Sequence, residues 1–239
     1  MKKPFIVGIA LLAYAGITLA QTENVVFETI FLKPKTENLK ELGEKLATHN
    51  KKFHPEGPYA ANSWQVLTGE HSGQILWVMG PFTFADLDNR PDEGGHDDDW
   101  AGNVMPLTHG MHDGNYWRML TDYGYLPSEN YQGKIMRARL IDVKPGKWDE
   151  FLHLMTMINK VYAANNFGHS FALFDNWSND GVNDAAIVWQ YDNYAYFDVD
   201  LEFTKKYEEV YGDNSWNQFN EAIREIVVSA HDEIYEIME

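Results

Sequence analysis

Two histidines three residues apart, His109 and His112, are followed directly by Asp113. On a helix this spacing places both imidazoles on one face, where a divalent metal could bind with the Asp113 carboxylate nearby. A second pair, His231 and Asp232, lacks a histidine three residues earlier. A His-Asp pair ahead of a final strand is also typical of a helix C-terminus, where histidine contacts exposed carbonyl groups. The pattern favours this structural role and keeps a metal site as the alternative.

The segment from Asp92 to Asp99 contains five carboxylates within eight residues. Oxygen-rich loops can bind calcium weakly, but the spacing here does not match an EF-hand loop. A solvated acidic turn is therefore the favoured interpretation, with a weak calcium site as the alternative.

His169 precedes a predicted strand in the second half of the chain. A buried histidine at such a position usually stays neutral, whereas one that faces a cavity can accept a proton or bind haem iron. The chain contains no cysteine, which excludes thiol chemistry and disulfides. It also lacks a glycine-rich phosphate loop and a Gly-x-Ser-x-Gly elbow, which disfavours nucleotide hydrolysis and α/β-hydrolase chemistry.

The elements that must position these residues occur twice along the chain. Leu32-Lys33-Pro34 matches Val143-Lys144-Pro145, and the aromatic and acidic residues after Trp77 match those after Trp189. The His112-Asp113 pair matches His231-Asp232, and the offset between matched residues never falls along the chain. This order indicates an internal duplication with loop insertions.

Each copy has the same predicted order of elements. In the first copy, strands are predicted at 25–32, 64–68, 74–79 and 116–120, with helices after Thr36, around 84–87 and from Trp100. In the second, strands are predicted at 135–143, 170–174, 185–191 and 234–238, with helical residues at 148–164 and 194–230. The order β-α-β-β-α-β is that of a ferredoxin-like unit, so the fold class is α+β. The predicted boundaries are 21–126 and 132–239, after a signal peptide at 1–20.

Two tandem ferredoxin-like units resemble the dimeric α/β-barrel superfamily, in which two such sheets curl face to face. That superfamily includes antibiotic-biosynthesis-type monooxygenases, stress-responsive barrel proteins and chlorite-dismutase-like haem proteins. The resemblance covers the element order of nearly the whole mature chain and implies a pocket between the sheets. It rests on no catalytic motif, and this fold alone does not fix the chemistry.

Side chains alternate between two faces along the first strand of each copy. The apolar set, which includes Phe31, Met136 and Ala138, is assigned to the helix-facing side. The other set, which contains charged residues, is assigned to the space between the sheets, as are the tryptophans, and such a cleft suits a polar or anionic ligand. The predicted ligand-binding residues are Glu28, Trp77, Arg137, Arg139, His169, Trp189 and Tyr191. Because Glu28 and Arg139 are equivalent positions, the favoured alternative is an ion pair that only fixes sheet register.

The N-terminus has the pattern of a cleavable signal peptide. Lys2 and Lys3 precede an apolar run, and Thr18-Leu19-Ala20 supplies small residues before the predicted cleavage site. This run is short for a membrane span, so export to the periplasm or the extracellular space is favoured over a retained anchor. The net charge of −17 argues against nucleic acid or an anionic membrane as a partner.

The favoured hypothesis is an exported protein that binds a small organic ligand in an aromatic, arginine-lined cleft. The alternative is a barrel-superfamily oxidoreductase, either cofactor-free and monooxygenase-like or haem-binding through His169 or another histidine. A third hypothesis is a structural or partner-binding role. The sequence determines neither the ligand, nor the haem or metal content, nor the oligomeric state.

Overall fold

The structure, a computed structural model, describes residues 25–91, 94–126, 133–167, 169–178, 181 and 183–238. The predicted signal peptide lies outside the described residues. So do residues 127–132 of the predicted linker and residues 92 and 93 of the acidic segment. Within the described part of the chain, no helix combines the length and the apolar character that a membrane span requires.

The first half of the chain forms four strands and one long helix. The elements are β1 (Val26–Pro34), α1 (Leu39–Phe53), β2 (Ala61–Val66), β3 (Ile75–Phe82), α2 (Phe84–Leu87), α3 (His96–Asp99) and β4 (Thr108–Met119). Single turns of 3₁₀-helix lie at Thr36–Asn38, Gly57–Tyr59 and Met105–Leu107, and a π-helical turn follows α3 at Trp100–Val104.

The second half repeats this order. Its elements are β5 (Ile135–Val143), α4 (Trp148–Asn165), β6 (Phe171–Asn176), β7 (Ala185–Tyr191), a 3₁₀ turn (Tyr194–Asp198), α5 (Phe203–Tyr211), α6 (Ser215–Ile226) and β8 (Val227–Ile237). The predicted α+β class and the β-α-β-β-α-β order are confirmed. The last strand of each half begins well before its predicted start, because pairing with β1 or β5 extends it through polar residues that have little strand propensity of their own.

The eight strands of the described residues close into one antiparallel barrel in the order β1-β3-β2-β8-β5-β7-β6-β4. Each half contributes one ferredoxin-like sheet, β4-β1-β3-β2 or β8-β5-β7-β6. The sheets join where β2 pairs with β8 and where β4 pairs with β6, so the two junctions are equivalent. Closure pairs the strand edges that an open sheet would expose.

The helices pack on the outside of this barrel. In the first half, Leu42 and Leu46 of α1 are fully buried against Val26, Ile75 and Met79. In the second half, α4, α5 and α6 share a core with the outer faces of β5, β6 and β7. Each sheet therefore has one apolar face toward its helices and one toward the barrel interior.

Apolar side chains from both halves pack the barrel interior. They are Phe31, Trp64, Val66, Leu76, Met136, Ala138 and Tyr235. The sequence-based assignment of faces is therefore wrong: Phe31, Met136 and Ala138 point inward. Alternation separates two faces of a strand, but it does not say which face is inside when both are largely apolar.

The predicted ion pair between Glu28 and Arg139 is also wrong. Glu28 pairs with Arg90, whereas Arg139 and Arg137 share Asp232, at 2.8 and 2.7 Å. The two residues lie on the outer faces of different sheets, so the packed interior separates them. Each charge is instead neutralised within its own half.

Candidate metal centre

The C-terminal end of α1 is fastened to the sheet by a buried hydrogen bond. Trp77 Nε1 on β3 donates to Asn50 Oδ1 at 2.9 Å, and Asn50 Nδ2 donates to Ser63 Oγ on β2 at 3.4 Å. Buried polar groups need such partners, so this contact fixes the rotation of α1 on the sheet. It places the neighbouring His49 against the outer face of the barrel.

Three histidines from separate segments come together at this end of α1. His49 lies within α1, His54 follows its last residue, and His96 begins α3. One ring nitrogen from each lies within 4.8 Å of those of the other two. His54 Nε2 and His96 Nε2 are 3.1 Å apart.

Local backbone geometry brings His54 and His96 into position. After α1, the 3₁₀ turn Gly57–Tyr59 reverses the chain, so that the Tyr59 carbonyl reaches His54 Nδ1 at 2.8 Å. Before α3, Gly94 and Gly95 have φ of 76° and 78°, in the region that favours glycine. This left-handed turn directs α3 back toward α1.

The Nδ1 atom of each histidine faces a group that can only accept a hydrogen bond. His49 Nδ1 lies 2.8 Å from Asp99 Oδ2, and His96 Nδ1 lies 2.8 Å from Asp97 Oδ1, while His54 Nδ1 faces the Tyr59 carbonyl. Each Nδ1 therefore donates its proton to that group, and in the neutral form of each ring Nε2 carries the lone pair. Asn103 in turn donates to Asp99 Oδ1 at 2.9 Å.

Burial keeps two of these rings neutral. It lowers the pKa of His54 to about 4, and it lowers that of His49 against the opposing effect of the Asp99 carboxylate. The hydrogen bond from His49 in turn lowers the pKa of Asp99. His49 Nε2 is buried and has no hydrogen-bond partner among the described residues. A buried acceptor left in this state is costly unless a cation binds it.

The spacing of the three histidine rings fits a metal ion. Histidines that bind metals usually donate their other ring N–H to a carboxylate or a carbonyl, as all three do here. In a tetrahedral zinc site with bonds near 2.0–2.1 Å, ligand nitrogens are about 3.3 Å apart, close to the observed His54–His96 distance. Three protein ligands leave a coordination position for water or substrate, which is the pattern of catalytic sites.

Aromatic side chains surround the three histidines. Trp100 meets the ring of His49 at a centroid distance of 5.1 Å, Trp77 meets His54 at 5.2 Å, and Phe53 meets His96 at 5.2 Å. The His49 side chain is fully buried, whereas that of His96 is 26% exposed. Solvent therefore reaches the centre on the His96 side.

The structure does not bring the predicted ligand-binding residues into one cleft. Trp77 and Trp189 face the helices of different halves, where Trp189 Nε1 donates to Tyr162 Oη of α4 at 3.2 Å. Arg137 lies over the Trp189 ring at 5.3 Å, and both contacts belong to the second half. Glu28 is in the first half with Arg90. Of the predicted ligand-binding residues, only Trp77 borders the cluster formed by His49, His54 and His96.

His169 does not fit as a haem ligand. Its Nε2 lies 3.2 Å from Tyr162 Oη, and its Nδ1 is bonded to Tyr196 Oη. Tyr191 stacks on Tyr196 at 4.6 Å and closes the same aromatic group. Burial lowers the pKa of His169 to about 4, so it is a neutral, fully bonded core histidine.

The helical interpretation of His109 and His112 is wrong, because both lie on β4. His109 is exposed and does not join His112 in a common ligand group among the described residues. His112 does contact Asp113, at 2.5 Å, but the third member of that group is His71. The His231-Asp232 pair likewise lies within β8 and not at a helix terminus.

The acidic segment has a role that the sequence interpretation missed. Asp97 and Asp99 are hydrogen-bond partners of His96 and His49, so the described part of the segment is more than a solvated turn. Sequence reasoning also missed His49 and His54. The signal was a histidine inside the acidic run, combined with two histidines five residues apart at the end of a predicted helix.

No family model and no curated protein matches this sequence. Solved structures do match in fold, among them a putative monooxygenase from Lactobacillus acidophilus NCFM. It is 15% identical with a TM-score of 0.60, over 91% of this chain and 95% of that one. An anthrone oxidase-like protein is 13% identical with a TM-score of 0.54, over 92% and 93% of the two chains.

A haem-binding protein from Thermus thermophilus is 9% identical with a TM-score of 0.54, over 91% of this chain and 92% of that one. At such identities the likeness shows the fold alone. The fold predicted above from element order, two ferredoxin-like units joined into one barrel, is the fold that these structures share with this chain.

Proposed function

We propose that this protein is a metal-dependent oxidoreductase that acts on a small organic substrate at a centre formed by His49, His54 and His96. The observation that carries the proposal is that one ring nitrogen from each of the three histidines lies within 4.8 Å of the other two, while each Nδ1 meets a hydrogen-bond acceptor.

The ligand set favours a first-row transition metal. Imidazole nitrogen suits zinc, copper, iron and nickel, whereas calcium and magnesium prefer oxygen ligands. Three neutral ligands leave the positive charge of the ion uncompensated, so a bound ion would polarise a substrate oxygen or acidify bound water. Asp99 and Asp97 lie behind the rings and act as positioning residues.

The oxidoreductase assignment draws on the fold. Similar structures are described as a putative monooxygenase and as an anthrone oxidase-like protein. A redox-active ion such as iron or copper at the three histidines would supply electron transfer for such chemistry. Trp77, Trp100 and Phe53 give the centre an apolar border, which suits an organic substrate.

Metal analysis and oxygen consumption together test the proposal. Protein purified without chelators is analysed for metal content, then reloaded with Fe²⁺, Cu²⁺ or Zn²⁺ and assayed for oxygen uptake with electron-rich phenols. The proposal predicts uptake that depends on iron or copper and is lost in His54→Ala. Metal binding without uptake would contradict the oxidoreductase assignment, and failure to bind any of these ions would contradict the centre itself.

We also propose that the mature protein is exported. The support is the sequence pattern of residues 1–20, which predicts cleavage after Ala20. N-terminal sequencing of protein from the extracytoplasmic fraction should begin at Gln21. Full-length protein confined to the cytoplasm would contradict export.

A further inference from the structure

We propose a second metal site, independent of the three-histidine centre, formed by His71, His112 and Asp113 at one end of the barrel interior. One ligand atom from each lies within 4.8 Å of the other two. Asp113 Oδ2 lies 3.4 Å from His71 Nε2 and 2.5 Å from His112 Nδ1. No residue is shared with the first centre.

His71 is held by a buried carboxylate. It lies in the turn between β2 and β3, where its backbone N–H and its Nδ1 meet Glu233 Oε1 at 3.0 and 2.9 Å. Glu233 is fully buried, and Tyr235 Oη donates to its other oxygen at 2.5 Å. Because the carboxylate accepts the Nδ1 proton, Nε2 is the ring nitrogen that faces Asp113, either as an N–H donor or, with a cation bound, as a ligand.

His112 is positioned by a hydrogen bond between its Nε2 and the side chain of Gln74. Its Nε2 lies 2.6 Å from Gln74 Oε1 and its Nδ1 lies 2.5 Å from Asp113 Oδ2, so a cation would bind at Nδ1 by replacing the proton there while Nε2–H donates to Gln74. Phe31 stacks on both rings, with centroid distances of 3.9 Å to His71 and 5.8 Å to His112. A cation bound between His71 Nε2, His112 Nδ1 and Asp113 Oδ2 would replace the protons that otherwise bridge these atoms.

A β-bulge directs Asp113 between the two histidines. In the pairing of β1 with β4, Phe31 opposes His112 and Thr29 opposes Asn115, so Asp113 and Gly114 together oppose one residue of β1. Asp113 has φ of 49°, which is uncommon for a residue with a side chain. Bulges often re-aim a side chain beside a functional site.

The second half of the chain lacks this β-bulge at the matching place. There β5 pairs with β8 in unbroken register from Ile135 to Asp142. Asp142 is the residue of β5 that matches Phe31 of β1. Asp142 pairs with Ser229, whereas Phe31 pairs with His112. The bulge and its carboxylate are therefore a specific addition to the first half and not a requirement of the fold.

Two histidines and one carboxylate favour a different ion from three histidines. A 2-His-1-carboxylate set with open positions is typical of six-coordinate ferrous iron, and the oxygen ligand also suits Mn²⁺. The Asp113 and His112 side chains are 47% and 38% exposed, so water can complete the coordination. Glu233 and Gln74 then orient the two rings from behind.

Zn²⁺ binding to metal-stripped, full-length protein tests the second site, because this ion binds both ligand sets. We expect two bound ions per chain in the wild type, one in His112→Ala, one in His54→Ala and none in the double variant. Asp113→Asn should weaken one site at least tenfold. The matched control is His109→Ala, which removes an exposed histidine of the same strand and should leave two sites.

The variants separate this proposal from the proposed function. Two sites retained in both His112→Ala and Asp113→Asn would overturn the second site, as would a wild type that binds one ion and loses it only in His54→Ala. A wild type that binds one ion and loses it only in His112→Ala would contradict the three-histidine centre instead. Circular dichroism of each variant checks that its fold is kept, and a misfolded His112→Ala leaves Asp113→Asn to decide.

Discussion

His54 Nε2 and His96 Nε2 lie 3.1 Å apart, although 42 residues separate them in the sequence and each ring is fixed by an acceptor at its Nδ1. When both rings are neutral, their Nε2 lone pairs oppose each other. The Nε2 atom of His49 is also buried and has no hydrogen-bond partner among the described residues. A metal ion bound by all three rings would turn this unfavourable arrangement into a stabilising one.

Removal of one ligand should weaken metal binding strongly. His49→Ala, His54→Ala and His96→Ala are each expected to raise the Kd for Zn²⁺ at the three-histidine centre at least 100-fold, because two imidazoles alone hold the ion poorly. Isothermal titration in the His112→Ala background isolates this centre. The control is His109→Ala in the same background, and equal affinity in all four proteins would contradict the ligand assignment.

Asp99 should act through His49 and not as a ligand. Asp99→Asn keeps the shape of the side chain but weakens the acceptor for His49 Nδ1, so we expect metal affinity to fall about 10- to 100-fold. The stoichiometry should stay at that of the wild type, which separates a positioning role from ligation. Asp98→Asn, an exposed neighbour on the same short helix, should bind like the wild type. An Asp99→Asn protein that binds as tightly as the wild type would refute the role.

Asn50 should contribute to stability through Trp77. Asn50→Ala removes the acceptor for the buried Trp77 N–H, and an unsatisfied buried donor costs about 1–3 kcal/mol of the free energy of unfolding. Urea denaturation of metal-free protein measures this change. Thr48→Ala, at an exposed position two residues earlier on α1, should change stability by less than about 0.5 kcal/mol. Equal losses in the two variants would show that the contact is unimportant.

The ion pairs of Asp232 with Arg137 and Arg139 should make the stability of the fold depend on pH. Burial opposes ionisation of Asp232, but hydrogen bonds from Arg139 and Arg137 prevail and hold its pKa below the ordinary value of 3.8. Because the pKa of Asp232 is lower in the folded protein than in the unfolded chain, ionised Asp232 stabilises the fold at pH values above the unfolded-state pKa. This stabilisation is lost as the pH falls through the folded-state pKa. Because these groups are partly exposed, we expect Asp232→Asn to cost about 1 kcal/mol at pH 7. In urea denaturation the difference should shrink as pH falls below 3.8, and a difference that does not change with pH would contradict the assignment.

The sequence predicted the strands and helices well where local patterns decide them. β7 lies at the predicted residues 185–191, because its β-branched and aromatic run is bounded by polar turn residues. β4 was predicted to begin eight residues too late, at 116 and not at Thr108, since its first part contains His109, Gly110 and His112 and owes its strand geometry to pairing with β1. The inner and outer faces were exchanged, because both faces of these strands carry apolar residues.

The candidate centre was not predictable from local spacing. His49, His54 and His96 meet only because Trp77 and Asn50 set the rotation of α1 and two glycines turn the chain before α3. Such contacts depend on tertiary packing, which one sequence does not display. Of the predicted metal residues, His112 and Asp113 do lie together, but their partner His71 comes from a different hairpin.

X-ray absorption at the metal edge of reloaded His112→Ala protein tests the three-histidine centre most directly, because this variant empties the second site. Our account predicts one ion per chain with three imidazole nitrogens at about 2.0–2.1 Å and one further light ligand. It also predicts that the imidazole signal is lost in the His54→Ala, His112→Ala double variant. A stoichiometric ion with only oxygen ligands, or the absence of a bound ion, would contradict it.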